Sequence, residues 1–180
     1  MPDPDVAGTV RFPTGYRIER LRSDHPRRAC CSGQSRVDDW LATAALHNQD
    51  KHLSATKVLI GEDDSITGFY TLATAQVDFT DLPPDLIRRL PRRHLPVAVL
   101  AWFGLDEHHQ GQGIGCRLLA QALRDCYDAS QTFPVVAVIL DCIDDTVKAF
   151  YQRWDFRELP GHGQRLYLSW MQLEAMMAGA

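Results

Sequence analysis

The chain has 180 residues, 45% of them hydrophobic and 23% charged, with a formal net charge of −4 at pH 7. That length and apolar fraction suit one soluble α/β domain over residues 1–180, and the negative balance argues against broad affinity for nucleic acid. No apolar run reaches membrane-spanning length, and Met1-Pro2-Asp3-Pro4-Asp5 lacks the regions of a signal peptide, so a cytoplasmic protein with a flexible start over residues 1–14 is expected.

In chain order, Tyr16–Arg20 reads as a strand and Val37–Asn48 as a helix, with Trp40, Leu41, Ala44 and Ala45 at helical spacing. Thr56–Ile60 and Ile66–Phe79 read as a hairpin about the turn Gly61-Glu62-Asp63-Asp64. Pro83–Leu90 reads as a short helix closed by Pro91, followed by the strand Val97–Leu105 and the helix Gly113–Tyr127. Val135–Cys142 is apolar on both faces, as a buried parallel strand should be. Asp144 is placed to cap a helix running to about Trp154, and two short strands near Phe156 and over Leu166–Ser169 complete the sheet. The five cysteines, Cys30, Cys31, Cys116, Cys126 and Cys142, are odd in number and match neither a C-x-x-C pair nor a zinc spacing. They are expected to be reduced and mostly buried, and no metal site is expected.

The residues between the strand and helix of the middle region carry the most chemistry. Gln110-Gly111-Gln112-Gly113-Ile114-Gly115-Cys116 follows a strand and opens a helix. Such a turn offers backbone N–H groups to an anion at a helix N-terminus, where glycine permits close approach. A P-loop needs Lys and Ser/Thr after its last glycine, where this chain has Cys116-Arg117. A dinucleotide fingerprint needs G-x-G-x-x-G, and the spacing here is G-x-G-x-G after a glutamine. What remains is a pyrophosphate cradle or a ligand-free turn.

The pattern (Q/R)-x-x-G-x-(G/A) after a strand resembles motif A of the GNAT N-acetyltransferase family, and the order of elements along nearly the whole chain resembles it too. The resemblance implies a mixed, mostly antiparallel sheet of six or seven strands, splayed at a central parallel pair and flanked by about four helices. It implies acetyl-CoA as cofactor, its pyrophosphate on Gln110, Gly111, Gln112, Gly113, Ile114, Gly115 and Cys116, with Gln110 ordering the turn. Its pantetheine arm would lie along the backbone of Phe103, Gly104 and Leu105, whose side chains are expected mostly to pack inward.

Lys148–Phe156 resembles the family segment A-x-x-F-Y-x-x-x-G-F, which implies Tyr151 as the group that protonates the departing thiolate. A phenol of pKa about 10 suits that task. The alternative for Phe150 and Tyr151 is a pair of core aromatics at a helix end. Asp155 stands where the family has glycine, so the turn there needs a residue that tolerates a left-handed conformation. No general base stands out: His108-His109 reads as a solvated pair on an exposed turn, and Glu107 is ambiguous. An α-amine, with a pKa of about 7.7–8.0 against about 10.4 for lysine, needs little help from one.

A narrower resemblance joins Leu21–His25, Cys31-Ser32-Gly33, Val37-Asp38-Asp39-Trp40-Leu41, Gly68–Leu72, Leu95-Pro96-Val97 and Gly111–Gly115 to the acetyltransferase toxins of type II toxin–antitoxin operons. It implies acetylation of the α-amine on charged tRNA, a ribbon-helix-helix antitoxin as partner, and a possible homodimer. Arg88, Arg89, Arg92 and Arg93, with Arg11, Arg17, Arg20, Arg22, Arg27, Arg28 and Arg36, make eleven of the nineteen basic residues. The first four are the candidate contacts to the acceptor stem, since arginine matches phosphate geometry; a solvated basic face is the other reading. Alternatives for the whole chain are an acetyltransferase of a small amine or protein N-terminus, or a non-catalytic acyl-CoA-binding module.

Overall fold

A computed structural model describes residues 10–179, so most of the expected flexible stretch 1–14 lies outside the described residues. The fold is α/β, with a seven-stranded sheet in the order β1-β2-β3-β4-β5-β7-β6. The described residues fall into two compact units: residues 10–73 with Leu100–Ala122, and Thr74–Val99 with residues 123–179.

In the first unit, β1 (Arg17–Arg20) pairs antiparallel with β2 (Ala55–Ile60), and β2 with β3 (Ile66–Val77) as the expected hairpin. The hairpin turn is fixed locally: the Asp63 carboxylate accepts from the Ser65 amide at 3.1 Å and its hydroxyl at 2.6 Å, and Asp64 takes a positive φ of 60°. Against this hairpin lies a helix that is not uniform. It consists of α1 (Ser35–Asp39), a π-helical turn over Trp40–Ala44, and α2 (Ala45–Asp50). The core-facing positions Val37, Leu41, Ala45 and Gln49 are all buried and recur every four residues. In a regular α-helix each four-residue step over-rotates by about 40°. The wider π turn takes up that excess and keeps the stripe on Val58, Ile60, Ile66 and Phe69.

β4 (Leu95–Leu105) belongs to the second unit up to Val99, and there it pairs in parallel with β5 (Ala137–Asp141) through Ala98 with Val138 and Val99 with Ile139. Antiparallel pairing joins β5 to β7 (His162–Ser169) and β7 to β6 (Arg157–Leu159). Leu82, Leu95, Val97, Ala137, Ile139, Leu159 and Tyr167 form the core here. The expected helix over Pro83–Leu90 shrinks to one turn, α3 (Pro84–Ile87). The long helix α4 (Ile114–Ser130) starts at the glycine turn, and α5 (Asp145–Gln152) begins where expected, because the Asp144 carboxylate accepts from the Val147 amide at 2.8 Å. A further helix, α6 (Trp170–Met177), was not expected; a reciprocal capping box between Ser169 and Gln172 starts it, and Leu173 and Met177 anchor it. All five cysteines are free; Cys30, Cys126 and Cys142 are buried, Cys116 is half-buried and Cys31 is exposed.

Candidate active site

The glycine turn leaves open space beside its backbone. Gly111 and Gly113 take φ of +73° and +78°, and a Cβ at either would meet no atom within 4 Å. Packing therefore does not demand glycine at these positions; the backbone conformation and the open space beside it do. The N–H groups of the first turn of α4 have no intrahelical partner, while the Ile114 side chain is buried in the core. The turn thus fits a diphosphate group, with exposed glycines on the outside and a buried anchor on the inside.

The turn is held to the rest of its unit by backbone-directed bonds. Gln110 Nε2 donates to the Leu105 and Ser32 carbonyls, each at 3.0 Å, and Gln112 Nε2 donates to the His108 carbonyl at 3.0 Å. The Asp106 carboxylate accepts from the Cys31 amide at 3.0 Å and from the His108 amide at 3.1 Å, and the Glu107 amide donates to the Cys31 carbonyl at 2.8 Å. Burial raises the Asp106 carboxyl, but the bonds from Cys31 and His108 together outweigh it and hold the group below the usual carboxylate range. Ser32 in turn donates through its amide and its hydroxyl to the Asp38 carboxylate, at 2.8 and 2.5 Å, which ties this segment to α1.

On β4, Gly104 is buried and its missing Cβ is structural: one built there would lie 2.7 Å from Phe69 and 2.9 Å from Val37. Phe103 and Leu105 are half-buried, with the Leu105 methyls close to Gly68 and Gly115. The histidine pair is divided by its surroundings. His108 is 79% exposed with Nδ1 2.9 Å from Asp106, whereas His109 is 27% exposed, stands edge-on to Tyr16 at 6.3 Å, and has a buried Nδ1 without a hydrogen-bond partner. His108 is thus exposed as expected, while His109 departs from the expected solvated pair.

In the other unit, Tyr151 is 5% exposed near the end of α5, between the rings of Phe150 at 5.2 Å and Phe156 at 5.8 Å. Burial, and then the neighbouring Cys142, push its phenol well above the ordinary value. The Cys142 thiol is itself pushed up to about 11 by burial. The turn after α5 is made by Asp155 at φ +62°, the left-handed position the sequence called for. Arg88, Arg89, Arg92 and Arg93 are all exposed around the end of α3, and none is in an ion pair among the described residues. By contrast Arg17 and Arg22 are paired with acidic neighbours, which removes them from the free basic set. Among the described residues no group of three His, Cys, Asp or Glu side chains could hold a metal.

Comparison with known proteins gives four matches of interest. The profile of the Acetyltransferase (GNAT) family matches residues 17–156. A protein of Mycobacterium tuberculosis described as "tRNA-acetylating toxin" is 30% identical over 165 residues, covering 91% of this chain and 98% of that one. Two solved structures share the fold. "AtaT complexed with acetyl-methionyl-tRNAfMet" has a TM-score of 0.82 at 20% identity and covers 89% of this chain and 98% of its own. "Crystal structure of AtaTR bound with AcCoA" has a TM-score of 0.80 at 21% identity and covers 90% and 98%.

Proposed function

The chain belongs to the acetyltransferase (GNAT) family and uses acetyl-CoA; from that premise we propose that it acetylates the α-amine of aminoacyl-tRNA and so blocks translation. The observation that supports the reading is the open glycine turn at the start of α4, where Gly111 and Gly113 take positive φ and a Cβ would meet no atom within 4 Å. The resemblance along 98% of a relative described as a tRNA-acetylating toxin supports the choice of acceptor.

Bound acetyl-CoA supplies an acyl group activated as a thioester. In this reading the amides of Gly111–Cys116 bind the diphosphate, with Gln110 and Gln112 holding the loop open, and the backbone of Phe103–Leu105 takes the pantetheine arm in the manner of an added strand. The α-amine attacks as its neutral fraction, without a dedicated base. Tyr151, kept protonated by its burial, would give its proton to the departing sulfur, while the surplus proton on the acylated nitrogen would pass to solvent and the phenol would be reprotonated from there.

Arg88, Arg89, Arg92 and Arg93 contact acceptor-stem phosphates. We place the protein in the cytoplasm as a single catalytic domain that forms homodimers and is silenced by a ribbon-helix-helix antitoxin. No helix among the described residues is long and apolar enough to cross a membrane. The test is incubation of a charged tRNA pool with labelled acetyl-CoA. Label should precipitate with RNA and be released by mild alkali as N-acetyl amino acid. Reversing the four arginine charges should weaken transfer more steeply as salt rises. Label appearing only on free amines or on proteins would overturn the choice of acceptor.

A further inference from the structure

The first unit carries a second feature that acetyl transfer itself leaves unused. Trp40 and Trp102 stack with ring centroids 4.9 Å apart and an angle of 11°, and the guanidinium of Arg36 lies over Trp102 at 5.7 Å. The stack is fixed from below: Trp40 Nε1 donates to Thr71 Oγ1 at 3.2 Å, which is bonded to Thr56 Oγ1 at 2.8 Å, both threonines being fully buried. It is also fixed from the side, because Trp40 begins the π turn and Arg36 sits in α1.

A tryptophan pair serving only the core would be buried and capped by apolar groups. Here both indoles are half-buried and the group over Trp102 is an exposed cation. Arg36 has no carboxylate partner among the described residues, unlike Arg17, Arg22 and Arg165. A guanidinium held by an aromatic face loses little rotamer freedom on binding and still presents its N–H edge to an anion. Trp102 immediately precedes Phe103 on β4, one strand step of about 3.3 Å from the residues assigned to the pantetheine arm.

We propose that Arg36, Trp102 and Trp40 form a docking platform for the single-stranded 3′ end of the acceptor RNA. Arg36 takes a phosphodiester of the terminal nucleotides, and an unpaired base packs against the exposed part of the tryptophan pair. Planar rings beside a free cation are what an unpaired RNA end requires, since its bases are free to stack and its backbone is anionic. The platform rests on the aminoacyl-tRNA reading for its substrate, and it adds a contact distinct from the exposed arginines after α3.

The test combines intrinsic tryptophan fluorescence with kinetics. Titration with the trinucleotide CCA should quench the wild-type protein, and Arg36→Ala, an exposed change that spares the fold, should weaken that binding about tenfold or more. On aminoacyl-tRNA, Arg36→Ala should raise KM by a similar factor with kcat and acetyl-CoA affinity kept, and should lower the salt slope by about one. Arg36→Lys should restore only part, and Trp102→Phe should weaken quenching in a folded protein. Acetylation of charged tRNA with no trinucleotide quenching, and with KM and salt slope unmoved by Arg36→Ala, would overturn the platform alone. Arg36-dependent trinucleotide binding in a protein that acetylates no charged tRNA would keep the platform and overturn the acceptor assignment.

Discussion

The backbone amide of Cys31 donates to the Asp106 carboxylate at 3.0 Å, across 75 positions of sequence, and the Cys31 carbonyl accepts from Glu107 at 2.8 Å. One carboxylate thus fixes both the segment leading into α1 and the loop leading into the glycine turn. Asp106→Ala should cost about 1–3 kcal/mol in urea unfolding and reduce acetyl-CoA affinity, because the partly buried Cys31 and His108 amides lose a charged partner. Since the folded carboxyl lies below its unfolded value, its contribution is present above the unfolded pKa of about 3.9 and is lost as pH falls through the folded one. Stability and affinity equal to wild type would show that the clamp is dispensable.

Asp155 occupies φ +62° with its side chain in solvent, so its conformation and not its contacts sets its cost. Asp155→Gly should stabilise by up to about 1 kcal/mol, and Asp155→Val should destabilise by about 1–2 kcal/mol. Thermal melts of the two variants moving in the same direction would contradict this.

Legibility in the sequence followed the kind of force at each place. The glycine turn, the Asp144 cap and the left-handed Asp155 were readable because each rests on local backbone chemistry confined to a few residues. The hairpin β2–β3 and helix α4 were readable from their apolar periods. The π turn was not, because an interval of four at Val37, Leu41 and Ala45 is close enough to helical spacing to pass for an ordinary helix. Helix α6 was missed although Ser169 and Gln172 spell its capping box, since Leu166–Ser169 reads as a strand end. The first part of β7, His162–Arg165, is exposed and polar and gives no strand pattern. The Cys31–Asp106 clamp and the Trp40–Trp102 stack join distant segments, one of them through backbone groups, and no local signal announces either.

Gly113 has open space around its missing Cβ, so substitution tests the ligand and not the packing. Gly113→Glu should lower stability only by the roughly 1–2 kcal/mol of the left-handed conformation, yet abolish measurable acetyl-CoA binding in calorimetry by placing a carboxylate at the proposed diphosphate site. Full affinity in the folded variant would reduce the turn to a connector.

Tyr151→Phe keeps the ring between Phe150 and Phe156 and removes one hydroxyl. Turnover should fall about 10²–10⁴-fold with acetyl-CoA affinity retained. Because burial raises the phenol, the wild-type kcat/KM should rise through about pH 8 with the α-amine and show no descending limb below about pH 10. Unchanged turnover would return Tyr151 to the core.

Mass spectrometry of the 3′-terminal aminoacyl-adenosine, released by nuclease from charged tRNA after incubation with the protein and acetyl-CoA, addresses the chemistry at its reacting atom. One acetyl group on the α-amine of at least one aminoacyl species, absent without acetyl-CoA, is the expected result. Aminoacyl-adenosines left wholly unmodified by a protein that binds acetyl-CoA would contradict the assignment.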